Sequence, residues 1–228
     1  MRNLLSKFIV GVLTIVLSSN LLINSVNAAT NSSDMNYSLS SLSQETIKKA
    51  DKYVEIKDGK FVLNNEIYND NSISVDDINK VNNSINNTNY SLEKSGKEVV
   101  VNTKNNSIEV TYSNEELLNK LENSGYNLGN EISNDDISTF SAGVNKIEYF
   151  WWGFYLYVDS YWTSLALKIA VASLAVLLAD AFPAVSPYTL AIAGAIVDHV
   201  LSNSAHAQRG CVISYNYAFG VQDVWVQY

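Results

Sequence analysis

Few side chains in this sequence are of a type that does covalent chemistry. Cys211 is the single cysteine and His199 and His206 are the two histidines. A Cys–His nucleophile pair needs an orienting acid on the far side of the imidazole. Asp198 adjoins His199 in sequence, so on a helix the two side chains diverge and cannot act as orienter and base. Cys211 follows Gly210 in a β-branched stretch, where a thiol packs as a small hydrophobe. Two histidines and one cysteine do not make a zinc ligand set, and no Gly-rich phosphate loop is present. The paired carboxylates Asp76-Asp77 follow Ser74 and fit the first turn of a helix; Asp135-Asp136 lie in a polar stretch. The expectation is a protein that is not an enzyme and needs no cofactor or metal.

The residues with binding chemistry are aromatic. All four tryptophans, Trp151, Trp152, Trp162 and Trp225, fall in the last third of the chain. Such rings serve as core and cross-strand packing, or as an interfacial belt between water and lipid.

The N-terminus reads as a secretory signal over residues 1–28. Arg2 and Lys7 make a basic start, Phe8 to Ile23 is mostly apolar, and Val26-Asn27-Ala28 places a cleavage site between Ala28 and Ala29. The expected location is therefore extracellular. One cysteine excludes an intrachain disulfide framework, so stability must come from packing, self-association or a membrane. The net charge of −8 speaks against nucleic acid as a partner.

Composition changes near residue 142. Residues 29–142 are polar and acidic, with ten Lys and Arg against eighteen Asp and Glu; residues 143–228 are aromatic and apolar, with three against five. The first segment reads as a weakly structured α/β pro-region or module. A helix runs from the Ser43 cap to about Tyr53, and Asp58-Gly59 turns a hairpin between 53–56 and 60–63. Ser74 caps a helix through Ile78, Val81 and Ile85. Asn105-Asn106 turns a second hairpin, and Ser113 to Glu116 forms a capping box ahead of Leu117 and Leu121. Residues 130–142 form an acidic linker, either a plain connector or a place for a processing protease.

The second segment reads as a β-α-α-β-β domain. Lys146 to Val158 is one aromatic strand bent at Gly153, followed by an apolar helix from Tyr161 to Ala181. Leu165, Leu174 and Leu178 lie along that helix and Lys168 interrupts it. Pro183 and Pro187 bracket a turn, and a second apolar helix from Tyr188 to Val197 carries Leu190 and Ile196. Two strands, 210–217 and 224–228, close the domain with Gly220 and Asp223 in their turn. The fold class is thus α+β, with the helical hairpin buried in protein or in lipid.

This layout resembles the preproproteins of secreted Gram-positive bacteriocin-like polypeptides, on the signal ending Val26-Asn27-Ala28, the linker near Asp135-Asp136 and the Trp151-Trp152-Gly153 to Ala195 stretch. The resemblance implies an antimicrobial, membrane-active C-terminal piece released by proteolysis and directed at a target-cell membrane. Such peptides are commonly cationic, and residues 143–228 are not. The alternative expectation is a stable secreted or cell-surface binding protein, non-enzymatic, whose apolar hairpin is its own core and whose strands meet a surface partner.

Overall fold

A computed structural model describes residues 42–123 and 142–227. The signal with its Ala28–Ala29 cleavage site, the linker up to residue 141 and the Asp135-Asp136 pair lie outside the described residues.

The first half follows its local signals. Ser43 Oγ accepts the Thr46 amide (3.0 Å) and starts α1, Gln44–Ala50, which tightens into a 3-10 turn, Asp51–Tyr53. Strands β1, Val54–Lys57, and β2, Lys60–Leu63, pair through a turn with Asp58 and Gly59 both at positive φ (50° and 71°), the type I′ geometry. Ser74 accepts the Asp77 amide (3.1 Å) and opens α2, Val75–Ser95, which ends at Gly96 in the left-handed conformation. Strands β3, Val100–Asn102, and β4, Ser107–Tyr112, turn at Asn106 (φ 49°), and Ser113 caps α3, Asn114–Asn123. Glu116 does not close the box onto Ser113; its carboxylate pairs with Lys97. Within residues 42–123, Ile78, Val81, Ile85, Leu117 and Leu121 enter one shared core.

That core is built jointly with the second half. One antiparallel sheet runs β3-β4-β5-β6-β7-β8, with β5 at Asn145–Phe150, β6 at Gly153–Val158, β7 at Cys211–Asn216 and β8 at Gly220–Val226. The β4–β5 ladder, from Ile108 opposite Tyr149 to Tyr112 opposite Asn145, crosses the compositional break. The class is mixed α+β, as predicted. The self-contained β-α-α-β-β piece is not what forms: its strand β5 is an interior strand that needs β4.

Four local expectations are corrected. The strand expected over 146–158 is a hairpin, β5 turning through Trp151 and Trp152 into β6. Gly153 is required because a Cβ there would collide with the Tyr215 carbonyl oxygen on β7. The helix expected over 161–181 is two helices, α4, Ser160–Leu165, and α5, Val171–Ala181. Thr163 and Ser164 donate to the Ala207 carbonyl (3.1 and 2.9 Å), which holds α4 to the segment before β7 and makes the chain turn at 166–170. After a 3-10 segment, Pro183–Tyr188, helix α6 covers Thr189–Ser202 and continues past Asp198 and His199. Asp223 lies inside β8 rather than in its turn, where Gly220 alone takes positive φ.

The helices gather on one face of the sheet. Tyr112, Phe154 and Tyr215 meet Phe182 and Tyr188 from the helical side at ring distances of 4.7–5.7 Å. Helices α5 and α6 form the predicted hairpin, with Leu174, Leu178, Ile192 and Ile196 fully buried. The β5–β6 turn is held from the first half: Trp151 donates Nε1–H to Asp51 (2.9 Å), and its carbonyl accepts from Ser84 (2.8 Å) and Thr88 (3.3 Å) on α2.

Two outcomes follow. A fragment of residues 143–228 alone should show no cooperative thermal transition and should bind a hydrophobic dye, because it bares the β5 edge and the Trp151 turn; a sharp melt and a dispersed amide spectrum would contradict this. Thr88→Val, which removes the one hydroxyl proton within reach of the Ser84, Phe150 and Trp151 carbonyls, should cost about 1–3 kcal/mol in urea unfolding without altering the slope.

Candidate functional site: the open face of the sheet

Strand alternation sends every second residue of the sheet away from the helices. The register aligns Glu109, Glu148, Tyr155, Ser214 and Asp223 in one cross-strand row, and Thr111, Lys146, Tyr157, Val212 and Trp225 in the next. Phe150 and Trp152 continue the aromatic surface at the β5–β6 end. Five rings, Phe150, Trp152, Tyr155, Tyr157 and Trp225, are half-exposed on this face.

The rings pack on one another. Phe150 and Trp152 stack (4.9 Å, 12° between planes), Tyr155 stands edge-on to Phe150 (4.8 Å, 61°), and Trp225 stands edge-on to Tyr155 (5.5 Å, 86°). Tyr155 and Trp225 come from strands on either side of β7, so their contact bridges β7. That roof accounts for the burial of Val212 and Ser214, which retain 2% and 8% exposure although they point away from the helical layer.

Glu148 sits within this layer at 5% exposure. Ser107 Oγ (2.7 Å), Tyr157 OH (3.1 Å) and Asn105 Nδ2 (3.4 Å) donate to its carboxylate. Burial, and secondarily the charge of Glu148, hold the Tyr155 and Tyr157 hydroxyls above their ordinary pKa, so both are neutral donors. Lys146 bonds Glu109 (2.8 Å) and lies 4.4 Å from the Tyr157 ring centroid.

The predicted site residues separate. Trp151 and Trp162 are core residues at 1% exposure, while Trp152 and Trp225 lie on the open face, so the four tryptophans do not form one belt. Adjacent Trp151 and Trp152 diverge because they occupy a two-residue turn. Leu165, Leu174, Leu178 and Ile196 are buried; Lys168, Pro183, Pro187 and Leu190 are exposed. The sequence marks Asp223 only as a turn residue, and it does not single out Phe150, Tyr155, Tyr157 and Glu148. The period-2 pattern of 146–150 and 153–158 contains them, but apolar residues at both parities hide which face is open.

Elsewhere the reactive groups are tied up. Cys211 is buried in β7, and desolvation pushes its thiol up to about 12. His199 and His206 stack at 4.3 Å; burial first, then the neighbouring imidazole, lowers the pKa of His199. Among the described residues no group of three or more His, Cys, Asp or Glu is placed to hold a metal ion. An open cleft of about 470 Å³ is lined by Tyr53, Glu66, Asn69, Asp70 and Asn71. Its one strongly perturbed acid is already engaged, since Asp70 accepts from Ser72 N–H and Tyr53 OH (both 2.9 Å) and pairs with Lys52 (3.3 Å). No family model matches the chain, and comparison with curated proteins and with solved structures returns no match.

Asp70 gives a pH prediction. Its hydrogen bonds to Ser72 and then Tyr53 hold its pKa well below the ordinary 3.8. A depressed folded-state pKa contributes stability that is present above the unfolded value and lost as pH falls through the folded one. Asp70→Asn should flatten the fall in urea midpoint from about pH 4 to about pH 2 while lowering it at neutral pH; equal acid slopes in both proteins would refute the assignment.

Proposed function

We propose that this chain is an exported, non-enzymatic binding protein that docks a partner on the open face of its sheet. The observation that carries this reading is the asymmetry of the sheet. One face is sealed by helices, and the other presents five half-exposed rings beside carboxylates. Aromatic surface of this kind is unfavourable in water and supplies the anchors on which most interfaces rely. Export rests on the basic, apolar and small-residue succession of residues 1–28. Under this reading the apolar helical hairpin is core, which its burial favours.

A second reading has one observation in its favour. In it a protease releases residues 143–228, which then act on a target-cell membrane in the manner of a bacteriocin. The stretch Pro183–Ser202 is 20 residues long and apolar enough to cross a bilayer by length and composition. A core helix passes the same test, and 44% of its most apolar window is buried here. Insertion would also require breaking the β4–β5 ladder and the Trp151 contacts.

The two readings separate experimentally. The full chain added to dye-loaded vesicles should release no dye, and labelled protein should be retained on cells from the producing culture. The triple variant Trp152→Ala, Tyr155→Ala, Trp225→Ala should lose that retention while keeping a cooperative melt. Dye release by folded protein, or retention unchanged in the variant, would displace the docking reading.

A further inference from the structure

Among the described residues, the two cross-strand rows of the open face on β4–β8 carry three carboxylates, Glu109, Glu148 and Asp223, and one ammonium, Lys146. Lys146 is committed to Glu109. Among the described residues, no lysine or arginine forms an ion pair with Glu148 or Asp223; the charge of Asp223 also reaches the His199 imidazole on α6, whose pKa burial lowers. Glu148 is nine-tenths buried, and neutral donors alone hold its charge. Asp223 is exposed, with Oδ1 bonded to the neighbouring Val224 amide (2.8 Å). The faces of the surrounding rings are also electronegative. Carboxylates and rings therefore favour the same sign of charge, and the chain's net −8 reinforces it at long range.

Ring orientation narrows the partner further. A sugar ribbon stacks on coplanar rings. Among the described residues of this face, the one stacked pair, Phe150 and Trp152, covers itself, and Tyr155 and Trp225 are each turned steeply to their neighbour. An anionic lipid surface meets the wrong charge. A guanidinium fits both features, because it stacks on a ring and forks onto a carboxylate.

We infer that the open face recognises a basic, arginine-bearing segment of a protein partner; this rests on the docking reading above. Glu148 on β5 and Asp223 on β8 share one row three strands apart, a span of about 14 Å at the usual strand spacing. An extended segment covers about that distance in four residues, with both side chains on the same side. The recognised pattern is two arginines four positions apart with apolar residues between them, lying across the strands over Tyr155 and Trp225.

The test titrates the full chain with a ten-residue peptide carrying two arginines at that spacing in a Val, Thr and Gly background. Tryptophan fluorescence and calorimetry provide the readouts. Controls are the same peptide with both arginines changed to glutamate, a chitin hexasaccharide, and phosphatidylglycerol vesicles. The arginine peptide should bind, weaken as salt rises from about 0.05 M to about 0.5 M, and lose about tenfold in affinity with Asp223→Asn. Asp223 is exposed, so this variant leaves the fold intact; Glu148→Gln should act in the same direction. Binding of the glutamate peptide with equal strength, or an Asp223→Asn affinity equal to wild type, overturns the inference. Hexasaccharide binding that Trp225→Ala abolishes, with no arginine-peptide binding, also overturns it while sparing the docking reading. Vesicle binding without peptide binding overturns both.

Discussion

The apolar hairpin can stay out of water only because the sheet beneath it is completed by both halves of the chain. Leu174, Leu178, Ile192 and Ile196 of α5 and α6 share one buried cluster with Ile108, Val110 and Tyr112 of β4, and Tyr112 meets Phe182, the residue after α5, edge-on at 5.0 Å. The three β4 residues come from the polar, acidic segment. Without the β4–β5 ladder, β5 would become an edge strand and the core would lose one wall. A chain whose single cysteine is a buried free thiol has no intrachain disulfide to replace that wall, so a core large enough to be stable has to recruit residues from both segments.

Polar contacts set how the two halves register. The turn between β5 and β6 carries backbone carbonyls into the interior, where unsatisfied acceptors are costly. Ser84 and Thr88, one helical turn apart on α2, supply the donors, and Asp51 accepts from the indole of Trp151. A second connection lies at the other end of β5. Asn145 donates to Asn114 (2.6 Å) and to buried Asp159 (3.0 Å), and accepts the Asp159 amide. Desolvation raises the pKa of Asp159, and its hydrogen bonds with Asn145 work in the opposite direction. Hydrophobic burial would tolerate several positions of the sheet against α2; these directional bonds select one.

What the sequence made legible was local. Ser43, Ser74 and Ser113 announce helix starts by chemistry that acts within three residues, and Asp58-Gly59 and Asn106 announce turns by their tolerance of positive φ. The apolar hairpin was legible from composition. What was hidden depends on partners distant in sequence. Thr163 and Ser164 look like ordinary helix residues until the Ala207 carbonyl arrives to hold them, so the break before α5 left no local mark. The β4–β5 pairing joins residues on opposite sides of an abrupt change in composition, and composition reads such a change as a boundary. Trp151 and Trp152 are indistinguishable in sequence, yet the turn places one in the core and the other on the open face.

The open face has to reconcile exposed rings with solubility, and its construction does so in two ways. The rings satisfy much of their own apolar surface by packing edge to face, and they roof β7. The sheet edges are unfit for pairing with other chains: β3 has three residues, and β8 carries a register shift next to the charge of Asp223. On the docking reading proposed above, this leaves the face rather than the rim to meet a partner. A bare aromatic face would attract any apolar surface; under the proposed docking reading, the carboxylates beside the rings penalise partners that cannot offer positive charge and so make the surface selective.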